Sequence, residues 1–218
     1  MVTGALLDVD GTLVDSTYQH VLAWQRAFAE HDIVPGNWRI HRHIGMGGDK
    51  LVPALAGDEV EATYGDSLRD AWRGHVEPML DDITAVAGAR ELLVALKDRG
   101  AVVVLASSGP KDHVERWLDL LDARDLADDW TTADDAEESK PAPDLFGIAR
   151  DRAGTDAVVA VGDATWDAEA AGRLGIPAVA LRTGGFSVEE LRSAGAEQVY
   201  DDLPALTADL ARVLPRTP

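Results

Sequence analysis

The 218-residue chain reads as an α/β protein with a doubly wound, parallel-sheet, Rossmann-like core and a small all-helical cap inserted after strand one. Three observations lead there. Short β-branched runs alternate with amphipathic helical patterns through the second half, which is the signature of strands buried on both faces and joined by crossover helices. One long N-terminal stretch carries helical signals and no convincing strand. Acidic or hydroxyl-bearing motifs stand directly after successive strands, at the edge where open α/β sheets bind ligands.

Taken in order, residues 4–9 form the expected first strand. Residues 15–82 are the expected cap, leaving residues 1–14 and 83–218 as the core. Within the cap, Ser16-Thr17-Tyr18-Gln19 resembles a capping box, with Val21, Trp24 and Phe28 on one face of the helix that follows. A second cap helix starts near Asp58 and repeats Val60, Tyr64, Leu68, Trp72 and Val76 until Pro78. An insertion of this kind on the carboxyl edge of a sheet is expected to act as a lid. Residues 88–99 carry Leu92, Leu93 and Leu96 and stop at Gly100, as a helix with a glycine C-cap does. Strands are expected at residues 101–106, 157–161 and 177–181. Helices are expected at residues 110–121, with Pro110 in the first turn and Val114, Trp117, Leu118 and Leu121 inward, and at residues 143–153 and 165–174. Residues 214–218 read as a loose tail.

Composition narrows the function classes. With 46% hydrophobic and 27% charged residues the chain lies in the ordinary globular range, so disorder is not the expectation. Zero cysteines exclude a disulfide framework, a thiolate zinc site and a cysteine nucleophile together. The formal charge of -19 repels nucleic acid and anionic membrane. No apolar run approaches the ~18 residues of a membrane span, and the first residues lack the basic flank of a signal peptide, so a cytoplasmic location is expected.

The residues with chemical meaning begin at the end of strand one, in Asp8-Val9-Asp10-Gly11-Thr12. Two carboxylates spaced by one residue there both face the ligand crevice. A carboxylate beside a metal can attack phosphorus and split a slow hydrolysis into two easier steps, while the second protonates the leaving alcohol and later takes a proton from water. Gly11 permits the tight exit that such a turn needs. Ser107-Ser108-Gly109 offers a hydroxyl and backbone amides to phosphoryl oxygens, and Lys140 supplies the cation that the acidic chain otherwise lacks. Asp163 completes an oxygen set suited to Mg2+, and Asp167 is placed either to bind the metal through water or to orient Lys140. Singly, each has a plainer reading: a turn serine, a solvated lysine, helix-capping aspartates. Their ordered co-occurrence argues against chance.

With these motifs in order, the chain resembles the haloacid dehalogenase-like superfamily along nearly its whole length. Within it the likeness is to phosphatases with a helical cap after the first motif, such as phosphoglycolate phosphatase-like enzymes. That resemblance implies Asp8 as phosphoryl acceptor, Asp10 as acid/base, Ser107 and Lys140 clamping the transferred group, and Mg2+ held by Asp8, the Asp10 carbonyl and Asp163, with Asp167 beside it. Gly11, Thr12, Ser108, Gly109, His20 and Lys50 complete the candidate phosphate- and substrate-binding set. The expected partner is a small phosphorylated metabolite.

Departures from relatives carry information. Dehalogenases lack an acid at the position of Asp10, and phosphonoacetaldehyde hydrolases resemble the pattern with alanine there, so both are disfavoured. β-Phosphoglucomutase-like enzymes show a Glu-Asp fourth motif, whereas Gly162-Asp163 followed by Asp167 has the phosphatase form. His20 nevertheless falls where a mutase has its cap-hinge histidine, which keeps a phosphosugar mutase as the alternative. Arg39, His41, Arg42, His43 and the glycine-rich residues 44–50 form a candidate specificity loop, with Lys50 reaching into the crevice. The plainer readings are a solvated connector for that loop, a partly buried helical histidine for His20 and packing for Trp166. Two non-enzymatic classes fit the chain less well. A phospho-acceptor receiver module needs only ~120 residues, no cap, and an acceptor after a middle strand. A non-catalytic phosphate-binding protein would be expected to have lost motif residues.

Overall fold

The computed structural model describes residues 3–214; the first two and last four residues are outside it. Its centre is a six-stranded, all-parallel sheet in the order β3-β2-β1-β4-β5-β6, formed by β1 (Gly4–Leu7), β2 (Val102–Ala106), β3 (Asp129–Thr131), β4 (Val158–Gly162), β5 (Ala178–Leu181) and β6 (Gln198–Tyr200). β1 lies between β2 and β4, with Leu7 opposite both Leu105 and Val161. The strand order reverses at β1, where open α/β sheets bind ligands.

Strand alternation sends successive side chains to opposite faces. Ala5, Leu7, Val103, Leu105, Val159 and Val161 pack against α5 (Ala89–Asp98), α6 (Lys111–Leu120), α10 (Leu203–Ala208) and α11 (Leu210–Val213). On the other face Leu6, Val104, Ala106, Ala160, Ala178 and Ala180 pack against α7 (Asp144–Ala153), α8 (Thr165–Arg173) and α9 (Val188–Ser193). The alanines on that second face leave room for close helix approach, which suits the Ala168-Ala170-Ala171 surface of α8.

Between β1 and α5 come α1 (Thr17–Ala29), α2 (Asn37–His43), α3 (Gly48–Ala56), α4 (Asp58–Val76) and a 3-10 turn at Glu77–Asp82. This helical segment has a core of its own, built from Val21, Trp24, Phe28, Ile40, Leu51 and Leu68. Its entry and exit are tied together: Asp15 N donates to Thr84 O and Val86 N to Leu13 O, both at 2.9 Å, around an antiparallel Val14–Ala85 bridge.

Several expectations are corrected. β1 ends at Leu7, because from Val9 the chain turns on itself, Leu13 N and Val14 N both donating to Val9 O. β3 and β6 are three-residue strands at the sheet's edges, too short and too polar to show as apolar runs. Pro110 is the N-cap of α6, not a first-turn residue. Ser16 is the N-cap of α1 but its hydroxyl makes no cap bond, being spent on Asp10. Gly48, Asp49 and Lys50 begin α3, so the glycine-rich loop is shorter than expected. Leu214 is buried in the core, while residues 215–218 of the expected tail fall outside the described residues.

Candidate active site

β1, β2 and β4 deliver their following residues to one end of the sheet. The turn after β1 needs Gly11 at φ +84°, and a side chain there would collide with the Asp163 carboxylate. Gly184 backs the same carboxylate from the loop after β5, again with no room for a Cβ. Asp8, Asp163 and Asp167 are all buried, with one oxygen from each within 4.8 Å of the others. The Asp10 carboxylate is not part of this group.

Lys140 has no exposed surface and bridges the group, its Nζ donating to Asp8 Oδ1 and, at 2.7 Å, to Asp167 Oδ1. Asp167 Oδ2 meanwhile accepts from Ala164 N at 3.1 Å, so this one side chain both stabilises the start of α8 and orients the lysine. Thr12 Oγ1 lies 3.0 Å from Asp8 Oδ2 and 2.9 Å from Asp163 Oδ1, yet its single proton can serve only one of them. Burial, with the neighbouring carboxylates, outweighs Lys140 and pushes Asp8 up to about 7. Burial and the charges of Asp8 and Asp167 likewise push Asp163 well above the ordinary range. Burial opposes the charge on Lys140, but Asp167 and Asp8 together hold its pKa above the ordinary value. Fully ionised, three buried carboxylates against one ammonium would leave two negative charges in excess, which is why Asp8 and Asp163 hold their protons without a cation. An all-oxygen, buried donor set of that charge fits a hard divalent cation such as Mg2+.

Asp10 faces the other way. Its Oδ1 accepts from Ser16 Oγ at 2.7 Å and lies 3.2 Å from His20 Nε2; its Oδ2 accepts a longer bond from Ser107 Oγ at 3.4 Å. Burial would raise its pKa, but the His20 hydrogen bond and charge, with Ser16, hold it below the ordinary carboxylate value. Gly109 N donates to Ser107 Oγ at 2.9 Å, which fixes that hydroxyl. Two carboxylates separated by one residue therefore have opposite proton affinities.

A cavity of about 300 Å³ extends from Asp8, Asp10, Ser108 and Gly109 to the underside of the helical segment. His20 lines it and stacks on Trp72 with ring centroids 5.6 Å apart. Lys50 does not line it: its ammonium sits 3.2 Å from Glu138, outside the crevice it was expected to reach. Arg42 pairs with Glu190 and lies 4.0 Å over the Phe186 ring, so it joins the helical segment to the core. Trp166 does likewise, donating to Arg42 O at 3.2 Å. The cavity wall is supplied instead by Trp24, Gly45–Gly48 and one turn of α4 with Arg69, Asp70, Trp72 and Arg73. In the sequence Trp72 belongs to an apolar stripe that draws attention from its neighbours; Arg69 and Arg73, four residues apart and flanking that stripe, are the available signal.

This sheet, with its acidic switch-point turn, serine, buried lysine and distal aspartates, defines a hydrolase of the haloacid dehalogenase-like family, to which the chain belongs: the family's model matches residues 2–175. The chain is 29% identical over 217 residues to the phosphoglycolate phosphatase of Rhodospirillum rubrum, covering 94% of this chain and 90% of that protein. It is 30% identical over 149 residues to the validoxylamine A 7'-phosphate phosphatase of Streptomyces hygroscopicus subsp. limoneus, covering 66% and 68%. A hydrolase from Pseudomonas syringae superposes with a TM-score of 0.91 at 35% identity, over 97% of this chain and 99% of that one.

Proposed function

We propose that the protein is a Mg2+-dependent phosphatase that hydrolyses a small phosphomonoester through an aspartyl-phosphate intermediate, acting in the cytoplasm, with residues 15–82 as its lid. The carrying observation is the opposite tuning of Asp8 and Asp10 at the end of β1, with Lys140 buried against the first and Ser107 against the second. Among the described residues no helix is long and apolar enough to cross a membrane.

In this reading Asp8, Asp163 and the Asp10 carbonyl would hold Mg2+, with Asp167 beside it. Such an ion would supply positive charge to the phosphoryl oxygens and favour the ionised form of Asp8. An Asp8 carboxylate oxygen attacks phosphorus, the bond from phosphorus to the alcohol oxygen breaks, and Asp10 gives that oxygen its proton. Asp10 starts with low proton affinity; an arriving phosphoryl dianion and the expulsion of water raise it. Lys140, the Ser107 hydroxyl and the amide of Ser108 stabilise the charge on the transferred group, while the Gly109 amide holds Ser107 Oγ in place. In the second half Asp10 takes a proton from water as it attacks the phosphorus of the aspartyl phosphate, which releases Asp8.

Asp10→Asn is expected to slow phosphorylation of Asp8 by 10²-fold or more, on the order of the usual contribution of a general acid, for alkyl esters with poor leaving groups. Aryl phosphates should lose much less in that step, and dephosphorylation should slow for both. Single-turnover kinetics measure this; equal losses in the phosphorylation step would remove Asp10 from the acid role.

A phosphosugar mutase is the second reading, favoured by His20, which stands at the cap-hinge position of a mutase histidine and lies 3.2 Å from Asp10 Oδ1. The Gly162-Asp163 motif speaks against it. Incubation with β-glucose 1-phosphate, followed by phosphorus NMR, should give free phosphate or no reaction. Rapid formation of glucose 6-phosphate would establish the mutase.

A further inference from the structure

The far wall of the cavity carries information about the alcohol that the phosphate leaves. At about 300 Å³ the cavity is at the lower end of the ~300–1,000 Å³ usual for small-molecule sites, the size for a single ring and its substituents. Most of its wall is apolar. Trp24 and Trp72 line it with their rings 5.6 Å apart and within 21° of parallel, and Ile44 and Met46 continue the surface. Indole faces and aliphatic side chains favour a flat C–H face over a short, strongly hydrated acid.

The charged side chains on that wall come from one turn of α4. Arg69 is already neutralised: Nη1 donates to both Glu61 oxygens at 2.9 and 3.1 Å, and Nη2 to Asp66 at 2.8 Å. Arg73 is paired with Asp112 from α6. Asp70 has no hydrogen-bond or ion-pair partner among the described residues, and it lines the cavity. Two guanidinium groups therefore face three paired carboxylates and one unpaired one. A carboxylate or second phosphate on the substrate would find no unpaired cation here and would meet the Asp70 charge, in a chain whose net charge is already -19. A hydroxyl suits the same wall, because it can donate to Asp70 and accept from guanidinium N–H groups that the acids leave over.

We infer that the alcohol part of the substrate is an uncharged, ring-sized polyol and that Asp70, with Arg69 and Arg73, recognises its hydroxyls. The inference rests on the phosphatase reading and names the substrate class of that site. Apolar contact with Trp24 and Trp72 positions the ring, while the α4 groups select against anionic tails, as a site built around hydrogen-bonded hydroxyls does.

The test compares kcat/KM, with Mg2+ present, for hexose 6-phosphates and myo-inositol 1-phosphate against phosphoglycolate and 3-phosphoglycerate, using an aryl phosphate as reference. The best polyol ester should exceed both carboxylated esters by about tenfold or more. Asp70→Ala, an exposed-site change, should then lower the ratio of polyol to phosphoglycolate turnover by about tenfold, from both sides: the polyol loses an acceptor and the acid loses a repulsion. Hydrolysis of the aryl phosphate with a preference for phosphoglycolate, or a ratio that Asp70→Ala leaves unmoved, overturns the substrate class while leaving the phosphatase reading intact. Failure to release phosphate from any of these esters, the aryl one included, overturns both.

Discussion

Asp8→Asn is expected to lower phosphate release by a factor on the order of 10⁴ or more, as loss of a nucleophile does. An amide cannot form the acyl phosphate. The same substitution should act on stability in a way that identifies the metal site. In the metal-free protein Asp8 titrates at about 7 against an ordinary value of 3.8, for which burial is the first cause. A carboxylate whose pKa is raised on folding stabilises the fold while protonated, and that contribution is lost as pH rises from about 4 through about 7. Wild-type protein in chelator should therefore lose stability across that window, and Mg2+, which binds the ionised form, should restore it most strongly above pH 7. Asp8→Asn should reduce the pH dependence to the part that buried Asp163 carries and remove most of the Mg2+ effect. Thermal melts at pH 5 and pH 8, with MgCl2 or chelator, measure both, and phosphate release should stop in excess chelator and fall when Ca2+ replaces Mg2+. Undiminished turnover in chelator would refute the metal requirement.

Lys140→Ala is expected to have the largest combined effect. The lysine is wholly buried and answers both Asp8 and Asp167, so its removal strands two carboxylates in a site that already holds an excess of negative charge. Breaking a buried pair by deleting one partner costs about 3–5 kcal/mol, which should appear as a lower denaturant midpoint in chelator and be partly recovered by Mg2+. Activity should fall for every monoester to a similar extent, because the group that Lys140 would meet is the phosphoryl common to all of them. This separates it from Asp70→Ala, whose effect depends on the alcohol. A Lys140→Ala protein that discriminates sharply among substrates would assign the lysine to the leaving-group side.

Much of the sheet can be read before folding because its signals are local. The runs at residues 101–106 and 157–161 are apolar throughout since β2 and β4 are covered on both faces, and a left-handed glycine just past the C-cap, such as Gly100 after Arg99, ends a helix without reference to distant chain. β3 and β6 escape that reading because a three-residue edge strand is defined by its neighbour's hydrogen bonds and has no composition of its own. Ser16 is a similar case: its position is an N-cap, yet a carboxylate brought beside it competes successfully for the hydroxyl.

By itself the sequence determined the alternating α/β core, the helical segment after β1, and which residues carry oxygen, hydroxyl and ammonium groups after successive strands; residue type, order along the chain and strand-end position suffice for that. Only the tertiary structure decided which groups meet. Lys140 reaches Asp8 across 132 positions of chain and Asp167 across 27, and the pKa values of Asp8 and Asp10 move in opposite directions because burial, helped by neighbouring carboxylates, outweighs Lys140 at the first, while His20 and Ser16 outweigh burial at the second. The lining of the far cavity wall was likewise outside the reach of motif reading. Lys50, attractive as an isolated cation, is satisfied by Glu138, whereas a turn of α4 that looks like ordinary amphipathic helix presents Arg69, Asp70 and Arg73 to the cavity. An ion pair is chosen by whichever opposite charge packing brings within reach, and packing between segments far apart in sequence is what a local pattern does not encode.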